Sequence, residues 1–231
     1  MSRTTAPTRG STLTLLFQLA SPMLPVGAFA YSQGIERAVD DGWIVDEPTA
    51  RRWIVDALAG PVACYEAPLW LRLHRACDAN DTAAFACWNE QFLASRETHE
   101  LRAETLQMGA SLGVLARDLR IDAARAMIAG ISDLTFPAAY AACAQAWGID
   151  ADDGLTAYLW SWLENQVVAA MKSVPLGQLA GQRLLLDAHA LLAAARELCV
   201  SLEDEELASS APGLALASAL HETQYSRLFR S

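Results

Sequence analysis

The sequence predicts an all-α protein folded as a single globular domain of about ten helices, and three observations support this prediction. Apolar residues make up 53% of the 231 positions, and much of that excess is alanine, which has the highest helix propensity. Apolar residues recur at steps of three and four over long stretches, whereas no segment alternates β-branched and aromatic residues as a strand does. No linker-like stretch divides the chain, so one domain is expected rather than two.

The chain opens with a polar arm, followed by a helix and an uncharged segment. Residues 1–10 are small and polar and are predicted to be disordered. A helix is predicted over residues 11–20, because a serine and a threonine at its start are natural N-caps. No charged residue lies between Gly10 and Ile35, although acidic and basic residues are spread evenly elsewhere.

The segment 21–28, SPMLPVGA, lies within that uncharged run and carries Pro22, Pro25 and Gly27. Each proline removes a backbone donor and clashes with the preceding helical turn, which argues against a continuous helix. We predict a buried irregular turn, followed by a second helix that opens near Phe29. Spacing alone favours an ordinary helix–helix connection lined with apolar side chains, because a buried turn needs specific partners for its backbone groups.

N-capping residues, glycines and prolines predict where the remaining helices begin and end. Asp46 is predicted to open one helix, and Gly60 with the following proline is predicted to end it. An acidic loop is predicted over residues 201–212. The helical domain is expected to span residues 11–224, with a C-terminal tail over residues 225–231. After the first helix, the predicted helices cover about 29–39, 48–59, 62–78, 82–95, 97–120, 122–130, 136–147, 154–171, 176–200 and 214–224.

Composition excludes several classes of function. The net charge of −10 and the pI near 4.8 argue against nucleic-acid binding, because phosphates require a basic surface. Five widely spaced cysteines without a C-x-x-C pair indicate buried thiols in a reducing compartment rather than disulfides. The uncharged N-terminal run resembles a signal peptide or a membrane span, but Gln18, Pro22 and Pro25 interrupt it. We therefore expect a cytoplasmic protein, with membrane association as a third hypothesis.

No catalytic constellation stands out. The chain contains one lysine, Lys172, and no phosphate-binding loop of the P-loop kind. His74 and Cys77 lie one helical turn apart and could offer two ligands to a metal, but two are too few for a site. Glu36 is a lone carboxylate, and such a residue is more often an ordinary salt-bridging group. A small-molecule hydrolase or metal-binding enzyme that uses His74, Cys77 and Glu36 is kept as the alternative.

Two polar segments stand in apolar surroundings. Lys172 precedes Pro175, and Gln178 and Gln182 follow in the stretch PLGQLAGQ, whose small residues would allow another helix to approach closely. These glutamines could line a cleft or an interface, although a solvated helix start explains them about as well. The last residues, HETQYSRLFRS, interleave arginine with Tyr225 and other apolar side chains. That composition is typical of interface anchors.

The run SPMLPVGAFAYSQGIE resembles the signature of the UreF family of urease accessory proteins, which is commonly written SPxLPVGGFSYSxGLE. The likeness continues through Phe136 and Pro137, through AAMKSVPLGQLAGQ over residues 169–182, and through the closing SRLFRS. These separated motifs follow the family's order and cover nearly the whole chain, which makes the resemblance specific.

The resemblance implies a UreF-like, all-helical cytoplasmic homodimer that is not an enzyme and holds no cofactor. Such a protein would bind UreD (also called UreH) and the GTPase UreG on apo-urease. The assembly would promote nickel insertion and carboxylation of the active-site lysine of urease. The family member would act as a scaffold that couples the GTPase to urease and helps to form a passage for nickel.

The resemblance also implies which residues meet the partners. The tail is expected to become ordered when UreD binds. Ala28 and Ala30 stand where the signature has glycine and serine, so no positive φ is expected at the first position and no hydroxyl acts at the second. The expected partner-binding residues are Tyr31, Ser32 and Glu36 in the first motif, Lys172, Pro175, Gly177, Gln178 and Gln182 in the second, and Tyr225, Arg227, Leu228, Phe229 and Arg230 in the tail.

Overall fold

Residues 9–231, which the computed structural model describes, form helices joined by short connections, and no strand occurs among them. The all-α prediction is confirmed. Two short 3-10 turns (Ala28–Ala30 and Asp204–Glu206) and a π-helical segment (Leu58–Glu66) complete the regular structure. The α-helices are α1 (Arg9–Ala20), α2 (Ile35–Asp40), α3 (Glu47–Ala57), α4 (Ala67–Asp78), α5 (Thr82–Ala94), α6 (His99–Asp118), α7 (Asp122–Ile128), α8 (Phe136–Ala146), α9 (Ala151–Ser173), α10 (Gln178–Ser201) and α11 (Pro212–His221).

The two ends of the chain differ from the sequence-based boundaries. Residues 1–8 of the predicted disordered arm lie outside the described residues, and α1 begins at Arg9 instead of residue 11. Helix α11 ends at His221, three residues before the predicted end. Among the described residues, no helix is both long enough and apolar enough to cross a bilayer.

Side-chain caps fix the starts of four helices. Asp46 accepts a hydrogen bond from the backbone N–H of Thr49 at 3.0 Å and so opens α3. Asp81, Thr98 and Asp150 cap α5, α6 and α9 in the same way. Each cap satisfies a backbone donor that the first turn of a helix leaves without an internal partner.

Helix α8 lies in the core and is buried over residues 137–144. It packs against α4, α6 and α7, and its many alanines allow these helices to approach closely. Trp70 and Tyr158 stack beside it with ring centroids 5.9 Å apart, while Tyr140 meets both rings edge-on. Helix α9 contacts α1, α2, α4 and α10, so it links this core to the segment around residues 21–36.

The predicted break at Gly60 and Pro61 is confirmed as a kink. Gly60 leaves helical geometry, at φ −91° and ψ −107°, within the segment Leu58–Glu66 that lies between α3 and α4. Pro61 follows directly, and a proline removes a backbone donor and clashes with the preceding helical turn. The local sequence signal therefore marks the position of the kink.

The prediction of a buried turn over residues 21–28 is wrong. Met23 is 86% exposed, Phe29 is exposed, and Val26 is the buried residue of this segment. The prolines cost little there because water can satisfy the backbone groups near them. The next helix does not open near Phe29: a 3-10 turn covers Ala28–Ala30, and α2 begins at Ile35.

Candidate functional site

The first motif ends in a sharp reversal that only a few residue types allow. Gln33 and Gly34 adopt consecutive positive φ angles of 51° and 85°, a conformation that glycine adopts without strain. A Cβ atom at Gly34 would lie 3.1 Å from the Cβ of Ala217 in α11. The reversal places Ser32 and Glu36 on the side of the turn where the C-terminal tail lies.

Glu36 holds the tail by its backbone. Its Oε1 accepts the N–H of Leu228 at 2.6 Å, and its Oε2 accepts the N–H of Phe229 at 2.8 Å. Hydrogen bonds to an ionised carboxylate are roughly twice as strong as those between neutral groups. Arg230 N donates to the carbonyl of Ala30 at 2.8 Å, which extends the contact along the tail.

Ser32 anchors the last residue of the described chain. Its backbone N–H and its hydroxyl both donate to the carbonyl oxygen of Ser231, at 2.8 and 2.5 Å. Both residues are fully buried. The preceding Tyr31 is buried as well, and burial raises the pKa of its hydroxyl, an effect that a hydrogen bond from Arg230 opposes. The end of the tail is therefore an interior part of the fold.

His221, at the end of α11, lies between two carboxylates. Its Nε2 is 3.2 Å from Glu36 Oε2, and its Nδ1 is 2.7 Å from Glu100 Oε2. Arg227 Nη1 donates to the other oxygen of Glu100 at 2.8 Å. Because carboxylates only accept, both histidine contacts are satisfied together when each ring nitrogen carries a proton. This group ties α2, α6, α11 and the tail together.

Glu104 is a buried residue that contacts the end of the tail. Ser231 Oγ donates to its Oε2 at 3.0 Å, and Gln33 Nε2 donates to its Oε1 at 2.8 Å. Burial raises the pKa of this carboxyl to about 7, and the two hydrogen bonds oppose the shift. Gln33 Oε1 in turn accepts from Trp162 Nε1 at 2.9 Å and from Gln166 Nε2 at 3.3 Å, so the network reaches into α9.

Lys172 connects the second motif to the other two. Its Nζ lies 5.9 Å from the ring centroid of Phe29 and 5.6 Å from that of Phe229, within the range of cation–π contacts. Phe29 and the neighbouring Leu228 are exposed, while Phe229 is buried. We call the three exposed residues Phe29, Lys172 and Leu228 the motif–tail surface; Phe229 connects them, because its ring lies near Lys172 and Leu228 directly precedes it.

Comparison with known proteins identifies the family. The UreF family pattern matches residues 44–189. The urease accessory protein UreF of Azoarcus sp. (strain BH72) is 54% identical over 220 residues, or 94% of each chain. That of Ralstonia pickettii (strain 12J) is 50% identical over 229 residues, 97% of this chain and 100% of the relative. That of Janthinobacterium sp. (strain Marseille) is 49% identical over 218 residues, 94% of this chain and 96% of the relative.

The chain belongs to the UreF family. The resemblance drawn from the sequence motifs is therefore confirmed. Within this UreF-family chain, the matched region 44–189 contains Lys172, whereas the first motif and the tail lie on either side of it. The fold brings these two distant parts of the chain together.

The structure gathers most of the motif residues expected at the site, but not all of them. Tyr31, Ser32, Glu36, Lys172 and the tail residues Arg227–Arg230 meet as described. The remaining residues are exposed and take no part in the hydrogen bonds above; they are Pro175, Gly177, Gln178, Gln182 and Tyr225. The partner contacts expected of both groups of residues stay predictions.

The alternative hypothesis was an enzyme that uses His74, Cys77 and Glu36, but these three residues do not form one site. His74 is buried and its Nε2 is 3.0 Å from the carbonyl oxygen of Ile149, while burial lowers the pKa of its ring. Burial raises the pKa of the Cys77 thiol to about 12, which disfavours the nucleophilic thiolate. Glu36 instead bonds to the tail, and no three His, Cys, Asp or Glu residues of the described chain are grouped to hold a metal.

Four residues of this hydrogen-bond network were not predicted from the sequence: Gln33, Glu100, Glu104 and His221. Glu100 and Glu104 lie one turn apart on α6, beside the apolar positions Leu101 and Met108. Acidic residues on the buried face of a helix require partners, and that pattern could have indicated an internal network. No sequence pattern indicates the role of His221, because the two carboxylates that its ring contacts, those of Glu36 and Glu100, lie far away in the sequence.

Proposed function

We propose that this chain is a non-catalytic accessory protein of urease maturation, and that the motif–tail surface meets its partners. Membership of the UreF family supports the role in urease maturation. The proposed position of the partner surface is supported by the hydrogen bonds that Glu36 accepts from the backbone N–H groups of Leu228 and Phe229. They fix the tail with the Leu228 side chain exposed, directly before Phe229, whose ring lies near Lys172.

An exposed apolar side chain on a hydrogen-bonded backbone is a good interface anchor. Leu228 is 66% exposed, although its N–H is bound to a buried network. Binding through such a side chain costs little additional ordering, because the backbone is already held. Apolar anchors beside a positive charge suit a partner with an apolar pocket and an acidic rim.

In this proposal the chain joins UreD (UreH) and the GTPase UreG on apo-urease, and the assembly promotes nickel insertion and carboxylation of the active-site lysine. The tail contacts UreD through its exposed side chains, among them Tyr225 and Leu228. The chain acts as a cytoplasmic homodimer and modulates the partner GTPase without catalysing a reaction itself. The exposed segment 175–182 provides a second contact area for a partner.

A pull-down with UreD and UreG tests the proposal, using the full chain and a chain that ends at Gln224. We expect the full chain to retain UreD and the shortened chain to lose it. Equal retention of UreD by both chains would show that the tail is not its contact. Circular dichroism of both proteins controls for unfolding, because Ser231 and Phe229 are buried and their removal also weakens the fold.

A further inference from the structure

The tail, residues 225–231, forms no helix, and most of its side chains are exposed. Phe229 and Ser231 are buried, whereas Tyr225 is fully exposed. Helix α11, which precedes the tail, ends at His221, and that side chain is held between two carboxylates. The tail can therefore detach beyond His221 while the helices stay folded.

The end of the tail covers one side of the buried carboxyl of Glu104 on α6. Ser231 Oγ lies 3.0 Å from Glu104 Oε2, and Ser231 itself is fully buried. On another side Gln33 donates to Glu104 Oε1 at 2.8 Å. Gln33 is in turn bonded to Trp162 and Gln166 of α9, a helix that packs against α1, α2, α4 and α10. Detaching the tail leaves this core intact, so it is the local opening of lowest free energy that lets water reach Glu104.

The charged groups that face Glu104 do not balance its negative charge. Burial raises the pKa of the Glu104 carboxyl to about 7, and the negative charge of Glu66 acts in the same direction. Arg96 acts in the opposite direction, but it donates to Glu66 at 2.8 Å. Tyr31 and Tyr158 are the other titratable groups nearby, and burial raises the pKa of each hydroxyl, so both stay neutral up to pH 8.

The remaining charged groups around the tail bond to one another or to Tyr31, and not to Glu104. They are Arg227 with Glu100, His221 with Glu36 and Glu100, and Arg230 with the hydroxyl of Tyr31. Detaching the tail therefore takes no counter-charge away from Glu104, and it replaces the contact with Ser231 by water.

Detachment of the tail is linked to the proton on Glu104. When water reaches the carboxyl, its pKa returns toward the ordinary value of 4.5, whereas it is about 7 beneath the tail. Between these values the detached state has lost a proton that the docked state retains, so the equilibrium shifts toward detachment by up to about tenfold per pH unit. Above about pH 7 both states are ionised, and the equilibrium no longer depends on this group.

We propose that the tail is a pH-dependent strap, which lies docked on α2 and α6 while Glu104 is protonated and detaches when Glu104 is ionised. A rise in pH toward 8 enlarges the fraction of molecules in which Ser32 and Glu36 are uncovered. The switch is built from groups of this chain alone. It goes beyond the proposed function, because it does not rest on a contact of the tail with UreD.

Hydrogen exchange of the tail amides in the full chain tests the proposal. The N–H groups of Leu228 and Phe229 donate to Glu36. That of Arg230 donates to the carbonyl of Ala30, so all three exchange when the tail detaches. The measured quantity is the protection, which is the intrinsic exchange rate at each pH divided by the observed rate. We expect the protection of these amides to fall about tenfold from pH 5.5 to pH 7.5 in the wild type.

Two variants and the core amides serve as comparisons. Glu104→Gln cannot ionise, so the protection of its tail amides should be the same at both pH values, whereas Glu90→Gln, a change at an exposed position of α5, should show the fall of the wild type. The tail amides should exchange faster than those of α8 at both pH values, and low urea should not accelerate them, because local detachment exposes little surface. The proposal is overturned if the wild-type protection does not change with pH, if Glu104→Gln shows the same fall, or if the tail amides exchange only as fast as those of α8.

Discussion

Replacing Glu104 by glutamine is expected to change how the stability of the protein depends on pH. Burial raises the pKa of this carboxyl from 4.5 in the unfolded chain to about 7 in the folded one. Between these values the unfolded chain loses a proton that the folded chain retains, so the free energy of unfolding falls as pH rises. Each pH unit of the difference corresponds to about 1.4 kcal/mol, which gives ~3 kcal/mol lost by pH 8.

Glutamine has the shape of the protonated carboxyl but cannot ionise. Its amide can accept from Gln33 and donate to the hydroxyl of Ser231, so both contacts are kept. The free energy of unfolding of Glu104→Gln, relative to the wild type, is therefore expected to rise by ~3 kcal/mol between pH 4.5 and pH 8. Below pH 4.5 the difference should be constant.

Urea unfolding followed by tryptophan fluorescence at several pH values measures this difference. Glu90→Gln is the control, because Glu90 is exposed on α5 and its replacement should leave the pH dependence unchanged. The reasoning is refuted if the difference between Glu104→Gln and the wild type does not vary with pH. It is also refuted if the difference falls as pH rises, since that would mean that the folded protein favours the ionised carboxyl.

Two further predictions concern stability. Gly34→Ala is expected to lower the free energy of unfolding by about 1–3 kcal/mol in chemical denaturation, because alanine at a positive φ is strained and its Cβ would crowd that of Ala217. Gly130 has a similar φ but open space around it, so Gly130→Ala should lower the free energy of unfolding by less. Arg96→Met is expected to cost about 3–5 kcal/mol, because it leaves the carboxylate of Glu66 buried without its partner. The double variant with Glu66→Met should recover part of that loss, and a purely additive result would contradict the role of the pair.

The helices could be predicted from the sequence because their signals are local. Asp46 and Asp81 cap α3 and α5 through hydrogen bonds that span two or three residues, and such patterns are visible in the sequence. The helix-breaking signal at Gly60 is local too, and the backbone leaves helical geometry at that residue. Local signals failed at residues 21–28, where an apolar composition indicated burial but the chain exposes Met23.

The site could be predicted only in part, because its contacts join distant residues. Glu36 and Leu228 are 192 positions apart, and no periodicity of either segment indicates that they meet. The family motifs named both residues without indicating that one binds the backbone of the other. Glu104, which completes the network, belongs to none of these motifs, and His221 lies five residues before the closing SRLFRS.

The most direct test of the motif–tail surface is the dissociation constant of UreD for Leu228→Ala and Leu186→Ala, compared with the wild type. Both leucines are 66% exposed, and Leu228→Ala keeps the backbone N–H that Glu36 binds, so neither change should disturb the fold. We expect Leu228→Ala to bind UreD at least tenfold more weakly, a loss of about 1.4 kcal/mol, and Leu186→Ala to bind like the wild type. Equal affinity of the Leu228→Ala variant and the wild type would contradict the assignment of this surface to UreD.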